Sequence, residues 1–64
     1  MDSYQERVIE EHKELDLKIT KLELFLQTEM YEKLLRTPKE LLILQYAYMQ
    51  NYRNILERRI ALFN

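Results

Sequence analysis

Sixty-four residues with a mass of 8.0 kDa allow one small domain at most, of a size that buries only about 60% of the surface its unfolded form exposes. With no cysteine and a single histidine, neither disulfides nor a His/Cys zinc cluster can staple so small a core, which leaves packed helices or association with other chains. A net charge of −1 and a pI of about 5.8 argue against DNA or RNA polymers, whose partners usually carry a basic excess.

A composition that is 47% hydrophobic and 33% charged, with no glycine and one proline, reads as folded and helical rather than disordered. Seven acids and four bases fall in residues 1–27, and four acids and six bases in residues 28–64. No apolar run reaches the ~18 residues of a membrane span, and no signal-peptide pattern opens the chain. A soluble cytosolic protein is expected, without membrane association.

The first segment has helical period. Val8, His12, Leu15, Ile19, Leu22 and Leu26 recur at spacings of four and three, a continuous seam. Ser3 and Glu6 have the spacing of a capping box at its start. Ile9, Leu17, Leu24 and Phe25 lie outside the seam and widen the apolar surface beyond what one partner helix covers. The pattern loses phase at Gln27, Thr28 and Glu29. Thr28 can cap a short second helix running through Leu35, or one long helix can bend there. Thr37-Pro38-Lys39-Glu40 has the form of a proline-started capping box, with Thr37 as N-cap. From there Leu41, Leu42, Gln45, Tyr48, Met49, Tyr52, Ile55, Leu56, Arg59, Ile60 and Phe63 carry the period nearly to the end. The whole chain, residues 1–64, is expected to form one all-α helical hairpin with arms of about 36 Å. Ile9, Leu17, Leu24, Ile43, Leu44 and Leu62 would stay uncovered in a monomer. Contiguous apolar surface of that kind points to a homo-oligomer built from the hairpin.

The sequence offers little for catalysis. His12 sits on the apolar seam, where a packing histidine is the commoner case than a catalytic or metal-binding one. Glu10, Glu11 and Glu14 read as a solvated helix face. Without glycine there is no phosphate loop, and no nucleophile elbow or zinc motif is present. The chain reads as a non-enzyme without a cofactor. Tyr46, Tyr48 and Tyr52 are read as core or interface residues. Tyr4 precedes the seam, where a ring can stack on a nucleobase or simply stand exposed, the latter being the simpler reading. Lys18 and Lys21 share a face, and Glu14 is placed to pair with Lys18. Arg58 and Arg59 suit the C-terminal end of a helix dipole or a phosphate. Arg59 also takes a position where the period calls for an aliphatic residue, which asks for an anionic partner.

Several strings together look familiar: Tyr4-Gln5-Glu6-Arg7-Val8-Ile9-Glu10-Glu11, then Glu14-Leu15 and Lys18-Ile19-Thr20-Lys21-Leu22, then Leu41-Leu42, Gln45, Met49, Tyr52, Leu56 and Arg59-Ile60. Over almost the whole chain they resemble the phage anti-CBASS/anti-Thoeris hairpin domain family, and within it the short anti-CBASS cyclic-oligonucleotide sponges. Each string alone is a common helical pattern. The resemblance implies a compact homohexamer in the host bacterial cytoplasm. Such an assembly binds cyclic oligonucleotide messengers without cleaving them and so keeps the CBASS effector inactive. It further implies a cyclic dinucleotide site, for ligands such as cyclic GMP-AMP, using Tyr4 and Lys18. A separate cyclic trinucleotide site, for ligands such as cyclic tri-adenylate, would use Thr20 and Arg59.

Helix geometry bears on these assignments. Tyr4 and Lys18 are about 21 Å apart along one helix, too far for one chain to grip a dinucleotide with both, so opposed chains would have to share it. Three Arg59 side chains around a three-fold axis would likewise present three guanidinium groups to three phosphates. The competing reading is a helical oligomerisation module, or one that masks a host protein, with no nucleotide ligand.

Overall fold

The computed structural model describes residues 3–63. Helix α1 spans Ser3–Phe25, α2 spans Glu29–Glu32 and α3 spans Arg36–Ile60; among the described residues there is no strand. Helices α1 and α3 pack as an antiparallel hairpin, closed at one end by α2 and its flanking turns.

The turn forms without glycine, and no described residue takes a positive φ. Thr28 is the N-cap of α2. Its Oγ1 accepts from the Tyr31 amide at 3.2 Å and donates to the Phe25 carbonyl at 2.6 Å. One threonine thus both terminates α1 and starts α2. Of the two arrangements open in the sequence, the separate short helix forms. It ends before Lys33 rather than at Leu35. Tyr31 is buried, its ring edge-on to Phe25 at 6.3 Å and beneath the Lys39 ammonium at 5.1 Å.

The start of α3 differs from the expected capping box. Leu35 is the N-cap and makes no side-chain cap bond; Thr37 and Pro38 lie inside the first turn. Proline is tolerated there because amides of the first turn have no intrahelical acceptor. The first Lys39 amide bond reaches back to the Leu35 carbonyl at 3.2 Å. Ser3, the first described residue, is already helical, so it does not stand before the helix as the expected box with Glu6 requires.

The seam of α1 is as the period predicts: Val8, Leu15, Ile19 and Leu22 are buried. On α3 the facing seam is Leu42, Tyr46, Met49, Arg53, Leu56, Ile60 and then Phe63, again at alternating spacings of four and three. Three cross-helix bonds hold the register. His12 Nε2 meets Glu57 Oε2 at 2.9 Å, Arg53 donates to Asp16 at 2.7 Å, and Tyr46 donates to Glu23 at 2.5 Å. Each step along α1 is matched by an equal step back along α3, four residues and then seven. Pairs this exposed add only ~0–1 kcal/mol each; their main effect is to set which residues face one another.

This core is slender. The radius of gyration is 14.7 Å and the molecule measures 46 × 14 × 14 Å, against about 11 Å expected for a globular chain of this length. Outside the seam a second stripe runs down α3: Leu41, Leu44, Tyr48, Tyr52, Ile55 and Leu62, all exposed, at near-heptad spacing. Arg59 falls in this stripe, between Ile55 and Leu62, and not on the seam facing α1. The arginine on that seam is Arg53. Leu17, Leu24, Ile43, Leu44 and Leu62 stay exposed as the sequence suggests, while Ile9 is half-buried.

Candidate functional site at the open end of the hairpin

Antiparallel pairing carries the end of α3 back to the start of α1. Tyr4, in the first turn of α1, therefore meets the last turns of α3. Its ring packs edge-on to Phe63, with centroids 6.1 Å apart and planes at 64°. The Arg59 guanidinium lies over the same ring at 5.7 Å, and its Nη2 donates to the Tyr4 hydroxyl at 2.5 Å. Tyr4 stays 50% exposed, so it is neither a frayed side chain nor a core one. An aromatic ring at that exposure can stack on a base.

Beside this contact Ile55, Arg58, Arg59 and Leu62 line an open groove of about 440 Å³. Two guanidinium groups beside aliphatic walls suit a ligand with phosphates and flat, weakly polar bases. Arg36 and Arg53 face the carboxylates of Glu40 and Asp16. Arg59 instead meets a phenol, which holds the guanidinium without neutralising it.

Lys18 and Thr20 lie elsewhere, in the second half of α1. Lys18 is exposed and among the described residues belongs to no ion pair; the Glu14 partner expected from spacing does not engage it. Thr20 is exposed and its Oγ1 donates to the Asp16 carbonyl at 3.1 Å. Its hydroxyl proton is committed within the helix, which leaves the oxygen able to act as an acceptor. Tyr4 is about 21 Å from Lys18 and about 24 Å from Thr20 along the α1 axis. Within one chain, then, the structure joins Tyr4 to Arg59 and joins neither to Lys18 or Thr20.

Phe63 is the residue that sequence reasoning left without a role here. Its signal was present, since it continues the α3 seam beyond Ile60 to the level of Tyr4. His12 sits on the seam and bonds Glu57, a cross-helix strut. Among the described residues no cluster of three or more His, Cys, Asp or Glu could hold a metal ion, and no helix is long and apolar enough to cross a membrane.

A larger groove, of about 720 Å³, lies at the closed end between Tyr31, Leu34, Ile43 and Leu44, with Arg36 and Lys39 at its edge. Glu40 and Glu32 pair with those two cations, so this groove offers little net charge to an anion. The open end is the better candidate.

Comparison with known proteins agrees with a small helical phage protein. A protein of Enterobacteria phage T4, described as an "Uncharacterized 7.5 kDa protein in denB-rIIB intergenic region", is 41% identical over 63 residues, covering 98% of each chain. No solved structure gives a significant match. Residues 2–62 match the family described as Sequestin. With nearly its whole length matched by both comparisons, the chain belongs to the Sequestin family, a family of phage proteins.

Proposed function

We propose that this protein is a non-enzymatic phage anti-defence sponge. In this reading it binds cyclic dinucleotides such as cyclic GMP-AMP, and cyclic trinucleotides, and withholds them from a CBASS effector in the cytoplasm of the infected bacterium. It works as a homo-oligomer, a hexamer by the family resemblance, in which sites are shared between protomers. Tyr4 supplies a stacking face and Lys18 a phosphate charge for dinucleotides. Thr20 and Arg59 serve trinucleotides.

The observation that carries this reading is the open-end cluster: a half-exposed aromatic ring beside a guanidinium that pairs with no carboxylate among the described residues. Base stacking and phosphate pairing are the two interactions a cyclic oligonucleotide needs, worth roughly 1–3 kcal/mol per stacked base. The family name speaks of sequestering, which is what binding without turnover accomplishes. The second reading, a helical module that engages a host protein, draws on the apolar closed-end groove and predicts no nucleotide ligand.

Incubation with a panel of cyclic oligonucleotides, a thermal-shift measurement, and identification of what heat denaturation releases tests the proposal. Cyclic GMP-AMP and cyclic tri-adenylate should each raise the melting temperature and be recovered intact. Replacing Tyr4 and Lys18 together by alanine should abolish dinucleotide binding at unchanged oligomeric mass. Arg59→Ala should abolish trinucleotide binding. At ~1.5 kcal/mol for each of three charge-assisted bonds, the loss is about 4–5 kcal/mol, over a thousandfold. Recovery of linear nucleotide would make the protein an enzyme, and the absence of any shift would favour the host-protein reading.

A further inference from the structure

The sponge reading gives Tyr4 to one ligand and Arg59 to another, yet in the folded chain the two touch. Resting on that reading, we propose that Tyr4 also serves the trinucleotide site, as the positioning residue that holds the Arg59 guanidinium in place. Arginine has much rotamer freedom to lose when a ligand fixes it, and holding it in place beforehand reduces that loss. Tyr4 does so by two contacts: its ring beneath the guanidinium at 5.7 Å and its hydroxyl accepting from Nη2 at 2.5 Å. Phe63, edge-on to the ring at 6.1 Å, braces it from α3 itself.

The chemistry of the acceptor decides what this arrangement is for. A carboxylate would hold the arginine more firmly, as Asp16 holds Arg53 and Glu40 holds Arg36. It would also cancel the charge and compete with an incoming phosphate. A phenol oxygen takes one N–H and adds no opposing charge, and among the described residues no carboxylate takes the remaining guanidinium donors, which can make a forked contact. Arg59 is thus prepared as an anion receptor rather than spent on stabilising the fold.

Titration calorimetry with cyclic tri-adenylate tests this on four proteins: the unaltered chain, Tyr4→Phe, Arg59→Lys and the double variant. Tyr4→Phe keeps the ring and removes the acceptor. A roughly twofold loss at each contact, the low end for one hydrogen bond, compounds over three arginines to about eightfold weaker binding. In the Arg59→Lys background the same change should alter affinity by less than about twofold, because a lysine ammonium cannot take up the stacked, forked geometry. An equal loss in both backgrounds would make Tyr4 a general support of the site, and no loss in either would show that Arg59 needs no positioning; each overturns the inference while leaving the sponge intact. If the unaltered chain binds neither cyclic GMP-AMP nor cyclic tri-adenylate, the sponge reading fails and takes the inference with it.

Discussion

Tyr48→Glu separates a hairpin that acts alone from one that acts in an assembly. Tyr48 lies at the centre of the outer stripe of α3 and is 69% exposed. No charged residue occurs from Leu41 to Tyr52, so an introduced carboxylate finds no partner one turn away. In an isolated hairpin the change costs little, since surface substitutions fall within about ±0.5 kcal/mol and glutamate is the better helix former by a few tenths. With the stripe packed on a second copy, two terms change. Burial of the ring is lost, about 2 kcal/mol. A carboxylate must also be desolvated or the contact opened, about another 2 kcal/mol even after relaxation. The sum, about 4 kcal/mol per copy, is close to a thousandfold in association. Light scattering at micromolar concentration should therefore find the parent as an oligomer and Tyr48→Glu as an 8.0 kDa chain, with unchanged helical circular dichroism. In the sponge reading, which places both sites between protomers, both ligand classes should be lost together. A variant that keeps the parent's mass, or a parent that is itself monomeric, would refute the assignment of this stripe to self-association.

Two further predictions concern the fold. Leu56 is fully buried at 0% exposure, so Leu56→Ala should cost about 2–5 kcal/mol, a large share of what a chain of this size has; a thermal melt barely shifted would mean that the seam does not hold the hairpin together. The second uses the Tyr46–Glu23 bond. Accepting that hydrogen bond, helped by burial and by its negative charge, Glu23 raises the Tyr46 phenol above its usual 10. A raised folded value means that the stabilisation is complete below the unfolded value near 10 and fades as pH climbs through the folded one. The stability advantage of the parent over Tyr46→Phe should thus be constant up to about pH 9 and shrink in more alkaline solution. An advantage that persists undiminished once tyrosinate absorbance shows Tyr46 ionised would contradict it.

Much of the architecture was legible because α1 has one clear seam and the chain has one clear interruption. The α3 face was harder to read. Its apolar residues form two stripes rather than one, and periodicity alone merged Leu42, Met49 and Leu56 with Leu41, Tyr48 and Ile55. The discriminating information lies in pairs that no single-helix pattern contains: Asp16 with Arg53, Glu23 with Tyr46, His12 with Glu57. These pairs put Arg53 on the seam, where the sequence suggested no role for it, and set Arg59 beside the seam, against Tyr4. The misplaced cap at Thr37 has a similar cause. Threonine followed by proline is a good local start, but Thr28 and the buried Tyr31 fix where the turn ends, and α3 begins two residues sooner. The Tyr4–Arg59 contact was also beyond the sequence, since it joins residues 55 positions apart and depends on the hairpin register.

That register constrains how any shared site is assembled. Tyr4 and Arg59 mark the open end, while Lys18 and Thr20 lie about 21–24 Å further along α1, close to half the 46 Å length of the rod. For Tyr4 and Lys18 to close on one dinucleotide, or Thr20 and Arg59 on one trinucleotide, the end of one hairpin must lie against the middle of another. A staggered arrangement of this kind leaves about half of each rod overlapping its neighbour and draws on the uncovered stripe from Leu41 to Leu62, itself about 32 Å long. In that geometry assembly and ligand binding are one property of the chain. Mutations on the outer stripe should reduce ligand binding even where they touch no ligand, and bound ligand should in turn strengthen association.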